Sequence, residues 1–417
     1  MPVSLDSQWI RSHFPSVQNS DTVFLDNPGG TQVTQAVIDA FREYLETANA
    51  NHGGLFPTSE RSDAMVQQAR RAFADFLNAP LENEIVFGPN MTTLTFTLAR
   101  ALGRWLHPGD EIIVTRLDHD ANIAPWVALE ERGVVVKRVD INPDDCTLNM
   151  ADFEKQLSEK TRVVAVGLAS NAVGTVNPVR EIADLAHMAG ALVYADAVAY
   201  APHYPLDVQA LNVDFLVCSA YKFYGPHLGV LYGKYDLLDR LHAYKVRPAE
   251  NTPPHKFETG TPSFESIHAA AAAINYLASV GEKFGAEYAS AYPQFSGRRL
   301  HLKTAMRATQ AYEKNLFARL FQGLRELPDL TFYGIANLSR FDYRAPTATF
   351  NLRGKTPQAI ARALGSHNIN VWDGNYYALA LMERLDLERT GGAVRIGLAQ
   401  YNTAAEIDRL LQALHQL

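Results

Sequence analysis

Through the first two thirds of the chain, short apolar runs alternate with stretches in which apolar residues recur at helical spacing. The helical spacing covers residues 34–46, 61–78 and 92–105, and apolar runs at 111–115, 134–139, 163–168, 192–195 and 215–218 predict strands. Strand and helix in regular alternation is the pattern of a parallel α/β fold. After Gly229-Val230-Leu231-Tyr232 the pattern changes. An alanine-rich helix is expected at 266–280 and a long helical stretch at 300–327. Strands at 348–352 and 394–397 then alternate with helices near 357–367 and 404–417. The expected architecture is a mainly parallel large domain over 20–265. A smaller α+β domain over 266–417 takes the N-terminal arm 1–19 onto it. No internal repeat or low-complexity tract interrupts this reading.

Composition narrows the class. A chain of 417 residues with 47% hydrophobic content can bury a full core. Its net charge of −7, with acids and bases interspersed, gives no sign of nucleic-acid binding or of a basic membrane face. Two cysteines, Cys146 and Cys218, point to a reducing compartment without a disulfide framework. The start of the chain lacks a basic segment followed by an apolar one, and no apolar run approaches a membrane span. A cytoplasmic location is expected.

The chemistry centres on Lys222, in Val217-Cys218-Ser219-Ala220-Tyr221-Lys222-Phe223-Tyr224-Gly225-Pro226. A lysine held at a strand end among aromatics can lose its proton near neutral pH and attack a carbonyl, and the aldehyde of pyridoxal phosphate is the obvious electrophile. Asp196 ends the run Ala191-Leu192-Val193-Tyr194-Ala195-Asp196, 26 residues earlier. A carboxylate at the carboxyl edge of a parallel sheet can face a ligand and keep a pyridine nitrogen protonated. Read alone it would be a helix cap; paired with the lysine it reads as a site. The segment Glu84 to Thr93 reads as a strand, a Gly-Pro turn and a helix start, where free backbone N–H groups favour phosphate. Asn90, Met91, Thr92 and Thr93 are phosphate candidates there, with Ser219 and Tyr221 approaching from the lysine side, although Asn90 and Thr92 read equally as ordinary caps. His119, after the strand 111–115, could stack on a flat ring or move protons. Arg395 offers parallel donors that suit an amino-acid carboxylate.

Together these residues resemble the class V aminotransferase family, and within it the cysteine desulfurase-like branch, over nearly the whole chain. Phe24-Leu25-Asp26-Asn27-Pro28-Gly29-Gly30 is similar to that branch's opening motif, and Asn51-His52-Gly53-Gly54 to its segment near the cofactor. Asp118-His119-Asp120-Ala121-Asn122 resembles the stretch whose histidine stacks on the pyridine ring. Asn171, in Ser170-Asn171-Ala172-Val173-Gly174, resembles the asparagine facing the ring hydroxyl. Asp196 and Lys222 fall at the pyridine aspartate and the Schiff-base lysine. Phe257-Glu258-Thr259-Gly260-Thr261-Pro262 is similar to the segment that reaches the phosphate across a dimer interface, and Arg395 to the arginine that grips the substrate carboxylate.

The resemblance implies a pyridoxal 5'-phosphate enzyme of fold type I working as a homodimer. Lys222, His119 and Asp196 would be catalytic. Asn171, Asn90, Met91, Thr92, Ser219, Tyr221 and Thr261 would help to hold the cofactor. Arg395, Asn27, His52 and Tyr377 would face the substrate.

Two departures qualify this. The stretch Val371 to Ala378 matches the segment that carries the desulfurase thiol, yet it has Tyr377 at the cysteine place, and no cysteine follows Cys218. Ala199 stands where the family usually has glutamine or histidine. The expectation is therefore a lyase acting on a small amino acid through a Cα carbanion, desulfurase-like but without a persulfide cysteine. A class V aminotransferase or an epimerase is the alternative. A nicotinamide dehydrogenase lacks its Gly-x-Gly-x-x-Gly, and a zinc enzyme lacks clustered ligands, so no metal is expected.

Overall fold

The structure is a computed structural model that describes residues 5–417. Its centre is a seven-stranded sheet in the order Ile85–Gly88, Gly229–Gly233, Phe215–Ser219, Leu192–Asp196, Thr161–Gly167, Glu111–Thr115, Val135–Val139. Only Gly229–Gly233 runs against its neighbours; the remaining pairings are parallel. This is the mainly parallel α/β sheet that the alternating pattern predicts.

Side chains of a strand alternate between faces, and here both faces are covered. Ile113, Val164 and Val166 enter one core, whereas Ile112, Val114, Val163 and Ala165 enter the other. The first core is closed by the helices Pro57–Leu77, Val179–Met188 and Phe264–Phe284, and the second by Met91–Leu102. Burial on both faces explains why the strands read as unbroken apolar runs.

A second sheet, all antiparallel, orders Leu330–Tyr333, Thr347–Leu352, Ala393–Gly397 and Trp372–Gly374. Phe317, Leu320, Phe350, Ile396 and Leu410 fill its core under the helices Gly297–Arg325 and Ala404–His415. The last helix starts at a reciprocal cap, Thr403 accepting from the Glu406 N–H while Glu406 accepts from the Thr403 N–H.

Several bounds differ from expectation for visible reasons. The helix expected at 61–78 begins at Pro57, a residue favoured in a first turn, and stops before Asn78 in the left-handed conformation. The helix expected to reach 105 stops at Leu102, before Gly103. The boundary expected at 265–266 falls inside one helix, Phe264–Phe284, which packs on Gln35–Thr47 and Pro57–Leu77. Of the N-terminal arm, the first four residues lie outside the described ones. The rest bridges the molecule. Phe14 packs edge-on against Tyr224, Tyr276 and Tyr401, and Arg11 bonds Glu406 at 2.7 Å. Among the described residues no helix is long and apolar enough to cross a membrane.

Candidate active site

The carboxyl ends of the parallel strands converge on one cavity of about 630 Å³. Leu192–Asp196 delivers Asp196, Phe215–Ser219 is followed at once by Lys222, Thr161–Gly167 leads to Asn171, and Glu111–Thr115 leads to His119. This edge is where open α/β sheets bind ligands. The second sheet supplies the opposite wall with Arg395 and Trp372, register partners on adjacent strands, and with the turn Asn375-Tyr376-Tyr377.

Lys222 sits on a single 3₁₀ turn, Ala220–Lys222, and its Nζ donates to the Pro28 carbonyl. Burial and the nearby Arg395 guanidinium hold its pKa down to about 7, against the opposing pull of Asp196. A large share of the amine is therefore neutral at pH 7 and able to act as a nucleophile. Asp196 is buried, and burial raises its pKa to about 6. Its Oδ1 accepts from the Val198 N–H at 2.8 Å, and no protein donor meets the other oxygen among the described residues.

His119 caps the short turn Asp120–Asn122, its Nδ1 accepting from the Ala121 N–H at 3.0 Å. That bond leaves the ring proton on Nε2. Burial, with Lys222 and Arg395 nearby, lowers the His119 pKa to about 4, so the ring is neutral. It lies 5.4 Å from the Tyr377 ring at an interplanar angle of 20°. Tyr377 is itself 72% exposed at the mouth.

Asn171 Nδ2 donates to the Tyr376 carbonyl at 2.8 Å, while its buried Oδ1 has no partner among the described residues. Arg395 is buried, places Nη1 2.8 Å from the Asn171 carbonyl, and stacks 4.2 Å from the Tyr376 ring centre. No carboxylate pairs with it within 4.0 Å among the described residues, and its Nε is unpartnered. A buried guanidinium without an ion pair is costly unless a ligand supplies the anion.

At the start of Met91–Leu102, Asn90 is a cap, its Oδ1 accepting from the Thr93 N–H at 2.9 Å. The Met91 N–H donates to Ser219 Oγ at 3.3 Å, whereas the Thr92 N–H has no partner among the described residues and Thr92 lines the cavity. Tyr221 lines it too, stacked on His227.

Not every sequence candidate reaches the cavity with a free group. Asn27 lines it, yet its Nδ2 serves the carbonyls of Phe24 and Gly397 and Asn402 Oδ1, and its Oδ1 accepts from Tyr401. Its amide acts here as a strut between the opening motif and the strand Ala393–Gly397. His52 and Thr261 are exposed, away from the residues lining the cavity.

The sequence assigned no role to two groups of the site. Asp118 is buried with its pKa raised to about 7, accepting from Thr115 Oγ1 at 2.7 Å and from the Gly167 N–H at 2.6 Å. It ties the His119 loop to the neighbouring strand. Gly167 is required for that approach, because a Cβ there would stand 2.5 Å from Asp118 Oδ1. Its signal was its place directly before His119. His203, on the wall beyond Ala199, carried no motif signal, whereas Tyr376, within the matched stretch Val371 to Ala378, lies beneath Arg395.

The aminotransferase class V family model matches residues 23–301 and 296–410. A probable cysteine desulfurase of Synechocystis sp. is 34% identical over 97% of this chain and 94% of its own length. An aminotransferase-like protein of Gibberella zeae is 32% identical over 98% of this chain and 97% of its own. Among solved structures, the apo cysteine desulfurase from Thermococcus onnurineus NA1 superposes with a TM-score of 0.86 at 26% identity, covering 100% of this chain and 99% of that one.

Proposed function

The chain belongs to the aminotransferase class V family, a family of pyridoxal phosphate-dependent enzymes of fold type I, and on that premise we propose that it is a desulfurase-like carbon–sulfur lyase of a small amino acid. In this reading it forms no persulfide on its own chain. One observation carries it: Lys222, Asp196 and an unpaired Arg395 share a cavity that no cysteine lines.

The residues fit pyridoxal phosphate. Three polar groups await a partner there: the second oxygen of Asp196, the orphaned Oδ1 of Asn171 and the Thr92 N–H. Asp196 would face the pyridine nitrogen, Asn171 the ring oxygen, and the neutral His119 ring the flat face. Thr92, Ser219 and Tyr221 would take the phosphate beside the N-terminus of Met91–Leu102. When bound, the cofactor supplies a ring that withdraws electrons from the bonds at the substrate's Cα.

The chain's own residues supply the rest. Arg395 grips the α-carboxylate bidentately and fixes which bonds of Cα face the ring. Lys222 Nζ would hold the cofactor, and its neutral amine can accept the proton from Cα. Tyr377 covers the mouth beside His119. Cys146 and Cys218 are both buried; burial raises the Cys146 thiol to about 11 and the Cys218 thiol further still. Neither offers thiolate at neutral pH.

We place the working unit in the cytoplasm as a homodimer. Glu258 is locked by Arg70 at 2.5 Å and by the Phe87 N–H at 2.7 Å, and the chain then runs outward through Gly260 and the exposed Thr261. In a dimer Thr261 and His52 would complete a neighbour's site. The test is a screen of L-cysteine, L-cystine and cysteine sulfoxides for pyruvate and ammonia. Release of these supports the lyase; turnover only when a keto acid is added as amino acceptor would make the protein an aminotransferase instead.

A further inference from the structure

The wall that the second sheet gives to the cavity carries groups for which the reaction proposed above has no use. Trp372 and Tyr377 line it, yet they remain 48% and 72% exposed. Two carboxylates, Asp373 and Glu388, line the same side. Glu388 opens the turn Glu388–Thr390, and both of its oxygens accept from Asn375 Nδ2 at 3.2 Å. Asn375 directly precedes Tyr376 and Tyr377, so the segment that forms the mouth also orients this carboxylate. Gly392 then packs so closely on the Gly374 carbonyl that no Cβ fits there, which holds the turn against the strand Trp372–Gly374.

Among the described residues no cation lies within 4.0 Å of either carboxylate; Arg389, next to Glu388 in the chain, is exposed and unpaired with it. The one arginine that lines the cavity is Arg395, 4% exposed and with Nε unpartnered. It marks the inner end as the place for a carboxylate. Trp372 is its register partner on the adjacent strand, so the two side chains share a face. The mouth therefore stands in the path of whatever extends from the α-carbon toward solvent. Aromatic faces attract a cation through the ring quadrupole, and uncompensated carboxylates add full charges of the same sign. An anion arriving there would be repelled.

We propose that Trp372, Tyr377, Asp373 and Glu388 form a subsite for a positively charged group at the far end of the substrate's side chain, and that the preferred substrates are cysteine S-conjugates whose sulfur substituent ends in an ammonium or similar cation. This deepens the lyase reading given above and rests on it. In the reaction the Cα proton is removed, the electron pair of the Cβ–S bond leaves with sulfur, which is protonated to a free thiol, and water hydrolyses the remaining enamine to pyruvate and ammonia.

The test compares S-(2-aminoethyl)-L-cysteine with its neutral isostere S-propyl-L-cysteine and with the anionic S-carboxymethyl-L-cysteine. Binding is measured by calorimetry and cofactor absorbance on the full-length Lys222→Ala protein loaded with pyridoxal phosphate, in which turnover is blocked, and kcat/KM for pyruvate release on the parent enzyme. The aminoethyl probe is expected to bind at least about tenfold more tightly than the propyl one, and the carboxymethyl probe more weakly than either. That preference should shrink in about 1 M salt, which screens charge and spares apolar contact. Glu388→Gln keeps the bond to Asn375 but not the charge, and both it and Trp372→Leu should cut the aminoethyl-to-propyl ratio at least about threefold. A merely structural role would weaken both probes together and leave the ratio unmoved. If L-cysteine perturbs the cofactor spectrum but the three probes bind without charge order or not at all, or the ratio survives Glu388→Gln, this inference fails and the amino-acid reading stands. If no amino acid perturbs that spectrum, the amino-acid reading itself falls and takes the inference with it.

Discussion

The guanidinium of Arg395 lies 4.2 Å over the ring of Tyr376, and the same tyrosine's carbonyl accepts from Asn171. One residue thus sits between the arginine and the asparagine that face the cavity from opposite sheets. Tyr376 holds a left-handed backbone, φ 55°, and its hydroxyl donates to the Ala393 carbonyl, so the ring is pinned under the cation. A stacked, planar cation presents its donors in one plane toward a carboxylate.

Arg395→Ala should therefore weaken amino-acid binding while leaving the cofactor spectrum intact. Loss of one charge-assisted contact in a closed site costs about 2–5 kcal/mol, which would appear as a rise in KM of about 30-fold or more. Arg395→Lys should recover little, because a point charge cannot reproduce the fork. Amines without a carboxylate that react as well as amino acids in the parent enzyme would remove the role.

The Lys222 amine predicts a pH dependence with a definite sign. Its pKa is lowered to about 7, and only the neutral amine attacks an aldehyde. Reconstitution of the apoprotein with pyridoxal phosphate, followed by stopped-flow absorbance, should slow about tenfold per pH unit below 7 and level off above 8. A rate still climbing from pH 8 to pH 10 would mean an ordinary, solvated lysine.

Asp118→Ala removes an acceptor that two donors require. It leaves the Thr115 hydroxyl and the buried Gly167 N–H without that acceptor, and leaving a buried donor unmet costs about 1–3 kcal/mol. Thermal unfolding of the apoprotein should show that loss, and the cofactor should bind more weakly because the His119 loop is released. An unchanged melting temperature and affinity would show that the anchor is dispensable.

Sedimentation should give a dimer at assay concentration. Thr261→Arg, at an exposed position in one chain, should weaken cofactor affinity if that residue enters a neighbour's site. An active monomer, or a variant indistinguishable from the parent, would refute the composite site.

Much of this was legible because it depends on local order. Strands buried on both faces announce themselves as apolar runs, and Asp196, His119 and Lys222 each stand just past the end of one. The strands Leu330–Tyr333 and Trp372–Gly374 were not read. Each is short, and their identity comes from pairing with Thr347–Leu352 and Ala393–Gly397 rather than from their own periodicity. The contact of Tyr376 with Arg395, and His203 altogether, were not legible for a related reason. Their roles are set by partners 19 and 110 residues away, Arg395 and Glu313. Asn27 shows the converse: a motif residue drew attention as a substrate contact, and its amide is occupied by backbone carbonyls and Asn402.

The proposed reaction needs a cofactor held by Lys222 and no protein thiol. The most direct measurement is mass spectrometry of the holoenzyme, trapped during turnover of L-cysteine, reduced with borohydride where the cofactor is to be located, and alkylated without reductant where sulfur is to be located. The prediction is a phosphopyridoxyl group on Lys222 and unmodified thiols at Cys146 and Cys218. An added sulfur on either cysteine, or a cofactor fixed to any other lysine, would contradict it.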